Sequence, residues 1–260
     1  MKARIRPARI AGPVAAGGLI GIAVGVTLVA AELVVESLRA GLTAESAPPL
    51  DGVDGPADGQ PLRMAVLGDS TGAGVGVTQR SDSVAVRLAA ALAEDGRRVT
   101  VDGLALPGSR TADLGPQVSR ALSHGAPDLA VILIGTNDAT RLTRTSMIER
   151  DLAAAVRRLR AANVYVVVGT CPDLGALRAF LHPLRELLGF RSRQVARAAA
   201  RATRGEGGHP VDIGALTGPV FRADPGTLAQ DQFHPSADGY RLWASALLPA
   251  VRHGAATSRV

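Results

Sequence analysis

Apolar positions along this chain fall into short, dense runs separated by longer stretches of helical period. The runs cover residues 64–67, 99–106, 129–134, 164–168 and 211–213. The segments between them read "SVAVRLAAALAEDG", "TADLGPQVSRALSHG", "MIERDLAAAVRRLRAAN" and "PLRELLGFRSRQVARAAARA". The three clearest runs are nearly unbroken Val, Ile, Leu and Ala, the pattern of strands covered on both faces. Strand–helix alternation predicts an α/β fold with a parallel sheet of about five strands and helices in two outer layers. The expected strand order is flavodoxin-like, 2-1-3-4-5, which places a ligand site beyond the carboxyl ends of the strands.

A sixth apolar stretch has a different character. Residues 10–31 are uncharged, follow Lys2, Arg4, Arg6 and Arg9, and precede Glu32 and Glu36. As a helix they would span about 33 Å, enough to cross a bilayer core. The basic flank predicts a cytoplasmic N-terminus, residues 1–9, and an extracytoplasmic remainder. A cleaved signal peptide is the rival reading, although its apolar region is shorter as a rule. Residues 32–61, rich in Pro, Gly and Asp towards their end, read as a tether. The main domain is expected at 62–253, with 254–260 as a tail.

Composition narrows the chemistry. Lys and Arg number 29 against 23 Asp and Glu, a formal charge of +6. Seven arginines lie between Arg178 and Arg204 against one acid, Glu186. No zinc-finger or RNA-binding aromatic pattern accompanies them, so a solvated basic helix is expected rather than a nucleic-acid interface. The lone cysteine, Cys171, allows no internal disulfide, and the five histidines show no metal-ligand spacing. No metal or cofactor is expected. The thiol reads as a small apolar side chain packed beneath the rim.

The chemistry-bearing residues gather at the ends of the expected strands. Gly68-Asp69-Ser70 follows the first, Gly108 lies after the second and Gly135-Thr136-Asn137-Asp138 follows the third. "DQFHPSADGY", residues 231–240, comes after the fifth. Ser70 alone is a turn residue or a nucleophile. Acyl transfer through it needs a base, an orienting group and oxyanion donors. Asp231 and His234 are three residues apart, so the carboxylate can hold one ring nitrogen while the other faces Ser70. Taken singly, the pair also fits a capped helix start with a surface histidine. The Ser70 and Gly108 amides and the Asn137 carboxamide are candidate oxyanion donors. Asp69 and Asp138 read as braces for their turns. Neither a G-x-S-x-G elbow nor a phosphate-loop spacing is present.

These four blocks, in this order, resemble the SGNH (GDSL) hydrolase family over roughly residues 62–253. The "GTCPDL" turn and "FHPSADGY" ending resemble its membrane-anchored actinobacterial members. The resemblance implies a three-layer α/β/α fold and hydrolysis of carboxylic esters of lipids, glycans or other alcohols. It implies Ser70 as nucleophile, His234 as base, Asp231 as its orienter, and Ser70, Gly108 and Asn137 as the oxyanion hole. Thr71 stands where the family carries leucine. Transfer of the acyl group to a sugar or alcohol would use the same site, and a non-catalytic binding module is the remaining alternative.

Overall fold

The computed structural model describes residues 47–123 and 125–257. The basic N-terminus, the apolar stretch 10–31 and the first part of the expected tether lie outside them. Among the described residues no helix is long and apolar enough to cross a membrane.

Among the described residues six strands form one sheet: β1 (Gly52–Asp54), β2 (Gln60–Gly68), β3 (Arg97–Gly103), β4 (Leu129–Leu133), β5 (Tyr165–Gly169) and β6 (His209–Val211). Their order is β1-β3-β2-β4-β5-β6. All neighbours are parallel except β1 and β3. The five parallel strands therefore follow the expected 2-1-3-4-5 order.

Among the described residues seven α-helices complete the domain: α1 (Val84–Glu94), α2 (Leu114–Ser123), α3 (Thr136–Thr140), α4 (Thr145–Ala161), α5 (Leu184–Gly205), α6 (Ile213–Ala223) and α7 (Ala237–Thr257). Alternate residues of one strand feed opposite cores. Met64 and Val66 join the layer built with α1 and α7. Ala65 and Leu67 join the layer built with α2, α4 and α5. Strands buried on both faces cannot alternate apolar with polar residues, which explains their continuous runs. Each fully buried Leu or Val contributes about 1.5–3 kcal/mol of transfer free energy.

Several boundaries differ from expectation. The described part of the tether, 47–61, belongs to the domain. Gly52–Asp54 pairs antiparallel with Val99–Val101, and Leu50 is buried in the core. Arg80 forks onto the Asp54 carboxylate at 2.8 and 3.0 Å and donates to the Leu50 carbonyl. This edge strand owes its order to β3 and Arg80, so its own Pro/Gly/Asp-rich sequence has no strand period. The final strand is shifted: Ile213 starts α6, capped by the Asp212 carboxylate on the Ala215 amide, while His209 and Pro210 pair with β5. Residues 104–106 leave the sheet as a loop after β3. At the other end α7 runs to Thr257 and buries Ala255, so the first four residues of the expected tail are helical.

Candidate active site

The turn after β2 is built around one close approach. Gly68 has φ +126°, and a Cβ there would lie 1.8 Å from the Leu133 carbonyl oxygen. Only glycine fits. The Asp69 amide then donates to that same carbonyl at 2.9 Å, locking the turn to β4. Ser70 follows, half-buried at the carboxyl end of the strand.

His234 approaches from a compact loop in front of α7. Ala229 donates to the His234 carbonyl at 2.8 Å, and Ser236 donates to the Thr227 carbonyl at 2.9 Å. Within this loop one Asp231 oxygen accepts the amides of Phe233 and His234, both at 2.9 Å. The other Asp231 oxygen lies 2.6 Å from His234 Nδ1. His234 Nε2 in turn stands 2.9 Å from Ser70 Oγ. Asp231 therefore shapes the turn and orients the ring at once. Burial raises the Asp231 carboxyl, but the His234 ring bond, the Phe233 amide and the His234 charge outweigh it and leave it below its ordinary value. His234 is 4% exposed, and Phe233 packs edge-on against its ring.

The proposed oxyanion residues occupy the next two loops. Gly108 sits in the turn 106–109 with φ +81° and open space on its Cβ side. Asn137 is in the first turn of α3, and its carboxamide donates to the Ser109 carbonyl at 3.0 Å. Two anchors hold these loops together. Asp138 accepts the Thr111 amide and hydroxyl at 2.9 and 3.0 Å, so it braces the neighbouring loop rather than its own turn. Burial raises the Asp138 carboxyl. Asp69 does brace its own turn, accepting the Thr71 amide at 3.0 Å and hydroxyl at 2.7 Å. The threonine that replaces the family leucine thus gives Asp69 a second donor.

Gln117 was not singled out from the sequence. It is buried on α2, where its carbonyl accepts from the Gly68 amide at 2.7 Å. Its NH₂ donates to the Gly68 carbonyl at 3.0 Å and to Ser109 Oγ at 3.2 Å. One carboxamide therefore ties the Ser70 turn to the Gly108 loop. A polar residue inside the apolar stripe Leu114, Val118, Ala121 was the available signal. Tyr240 was likewise passed over. Its buried hydroxyl donates to the Val75 carbonyl at 2.6 Å and holds the segment after Ser70 against α7.

Cys171 lies fully buried at the end of β5, and burial together with Asp69, Asp138 and Asp173 raises its thiol well above its ordinary value. It stays protonated and packs as a small apolar group. Among the described residues no three His, Cys, Asp or Glu side chains cluster as metal ligands.

Fold and site together define an α/β domain of hydrolase architecture, with a serine, an imidazole and a carboxylate in hydrogen-bonded series on the carboxyl rim. The chain belongs to the GDSL-like lipase/acylhydrolase family, whose sequence pattern matches residues 66–242. It is 40% identical over 194 residues to the GDSL-like esterase Rv1075c of Mycobacterium tuberculosis, covering 74% of this chain and 62% of that protein. The chain thus spans less than two thirds of that relative's length. Its fold is similar to the crystal structure of TesA, with a TM-score of 0.62, 21% identity, and 74% and 99% of the two chains covered. It is also similar to Axe2, an acetylxylan esterase from Geobacillus stearothermophilus, with a TM-score of 0.56, 20% identity, and 74% and 95% covered.

Proposed function

We propose that this protein hydrolyses carboxylic esters through an acyl-enzyme on Ser70. The observation that carries the reading is the series Ser70 Oγ, His234 Nε2, His234 Nδ1, Asp231 Oδ2, with separations of 2.9 and 2.6 Å. The name of the mycobacterial relative, an esterase, supports it.

In this reading Ser70 Oγ attacks the ester carbonyl carbon while its proton passes to His234 Nε2. Asp231 fixes the ring tautomer with a proton on Nδ1 and stabilises the imidazolium. The Ser70 and Gly108 amides and the Asn137 carboxamide receive the negative carbonyl oxygen. Collapse breaks the ester C–O bond, and the alkoxide leaves with the His234 proton. A water molecule, deprotonated by His234, then attacks the acyl carbon; the acyl–Oγ bond breaks, His234 returns the proton to Ser70 Oγ, and the carboxylic acid leaves.

The same reading keeps the apolar stretch 10–31 in the membrane and the catalytic domain outside the cytoplasm, supported by the basic residues before the stretch and the acids after it. Protease treatment of intact spheroplasts tests that placement: protection of the domain would reject it.

The chemistry is tested with a fluorophosphonate probe and p-nitrophenyl acetate. Covalent label on Ser70, lost together with turnover in Ser70→Ala, is expected. Label on another residue, or full turnover in the variant, would reject the assignment.

A further inference from the structure

We infer that the carboxyl-end rim of the sheet, which carries Ser70, is a docking face for an anionic bilayer surface, so that ester substrates reach the site from the lipid phase. The inference rests on the reading of the Ser70 site as an esterase and of residues 10–31 as membrane-embedded.

The first observation is where the chain enters the domain. β1 runs antiparallel to β3, with Gly52 opposite Val101, so its amino end lies at the carboxyl end of the parallel strands. Just before it, Pro48 packs 3.6 Å from where a Cβ on Gly74 would stand, in the segment that follows Ser70. Leu50 packs against Gly103 at the end of β3. The connection to residues 10–31 therefore leaves from the catalytic rim and not from the opposite end of the sheet. Residues 32–46 reach at most roughly 50 Å when fully extended. The lead joins the domain at the active-site rim, so this rim reaches the attachment point with the least length of chain.

The second observation is what that rim exposes. Leu106 follows β3, Leu142 follows α3, and Leu181 lies in the loop after β5. Leu187 and Phe190 occupy the first turns of α5, and Leu216 the first turn of α6. Leu181 is 80% exposed and Phe190 55%. Leu187 and Phe190, three residues apart, share one face of α5, with Leu181 in the loop just before it, and an exposed apolar group of this kind marks an interaction surface. The Leu181 loop is also coupled to the site: Phe180 packs edge-on against Phe233, the neighbour of His234.

The third observation is charge. A hollow of about 470 Å³ on this side is bordered by Arg178, Arg185, Arg193 and Arg222, with Glu186 its one acidic lining residue. Arg222 pairs with Asp173, and Glu186 with both His182 and Arg185, so the cationic excess comes down to Arg178 and Arg193. Exposed leucine and phenylalanine beside arginines are the composition of an interfacial membrane-binding surface: the apolar groups enter the acyl boundary and the guanidiniums meet lipid phosphates. An acidic protein would meet the same groups, but the chain enters the domain at this rim from the stretch read as membrane-embedded, which favours a lipid surface. The arginine hollow selects an anionic one.

The test uses the full chain carrying Leu181→Cys labelled with an environment-sensitive fluorophore; buried Cys171 does not compete for the label. Vesicles of phosphatidylcholine alone, or with phosphatidylglycerol, are added, and both emission and co-sedimentation are read. A blue shift with the anionic vesicles is expected, at least about tenfold less lipid being needed than with neutral ones. Charge reversal of Arg178 and Arg193 should abolish that preference while leaving turnover of p-nitrophenyl acetate without vesicles unchanged. Unshifted emission in a chain that still sediments would overturn the docking face and leave the membrane attachment standing. Equal shifts with both vesicle types would overturn the anionic selectivity. Loss of turnover in Ser70→Ala reads the esterase assignment separately, since it does not depend on lipid.

Discussion

Asn137 and Ser109 meet across two loops, the Asn137 carboxamide donating to the Ser109 carbonyl at 3.0 Å. The contact fixes the turn that carries Gly108 against the helix that carries Asn137. Asn137 thus sets the place of a second proposed donor besides offering its own amide. Asn137→Ala should lower turnover of p-nitrophenyl acetate by at least about 10²–10³-fold, the usual cost of one oxyanion donor. Labelling of Ser70 should continue at a reduced rate. Turnover within threefold of the unaltered protein would remove Asn137 from the oxyanion site.

Gln117 satisfies three buried groups with one side chain: the Gly68 amide, the Gly68 carbonyl and the Ser109 hydroxyl. Gln117→Leu keeps the volume and removes the partner of the Gly68 amide and of the Ser109 hydroxyl, while the Gly68 carbonyl keeps the Leu106 amide at 3.1 Å. Each unsatisfied buried group costs about 1–3 kcal/mol. Urea unfolding of this variant should show a loss above about 2 kcal/mol, and turnover should fall because the Ser70 and Gly108 turns are no longer tied. Unaltered stability would mean that the turn is held by β2 and β4 alone.

How much of this was legible in the sequence depends on where the instruction for each element resides. The central strands announced themselves because both faces are buried and the runs are apolar, as in Leu129–Leu133, whereas the short, half-exposed β6 gave a weaker signal and was placed too far along the chain. The Asp231–His234 pair was legible because its geometry is local. β1 was missed because its order comes from Arg80 and β3, elsewhere in the chain. Gln117 was missed because a single polar residue in a helix gives no hint of which loops it will join. The brace made by Asp138 on Thr111 was foreseen in kind but not in partner, since partners across loops appear only once the sheet is assembled.

Cys171 sits under the rim near three carboxylates and is fully buried, and its thiol is pushed upward. Only the thiolate is nucleophilic. Iodoacetamide should therefore leave the native protein unmodified and react after denaturation. Cys171→Ala should retain turnover within about twofold. Rapid native alkylation accompanied by loss of activity would give the thiol a role that its burial denies.

Asp69 makes stability depend on pH in a direction opposite to that of a paired surface carboxylate. Burial raises it from 3.8 to about 6, and the two Thr71 hydrogen bonds offset only part of that rise. Its Oδ2 is buried with no hydrogen-bond partner in the protein. The unfolded chain releases the Asp69 proton near pH 4 and the folded chain near pH 6. Between these values the folded state binds more protons, so stability falls as pH rises. The contribution is fully present below about pH 4 and lost once pH passes about 6, a change of about 3 kcal/mol. Asp69→Asn keeps an oxygen for the Thr71 amide and hydroxyl but cannot ionise. Unfolding of both proteins should be followed by denaturant from pH 4 to 7.5. The stability of the unaltered protein should decline relative to the variant across this window and then level off. Parallel curves would show that Asp69 ionises in the folded protein at an ordinary carboxylate pH, reached by water despite its burial.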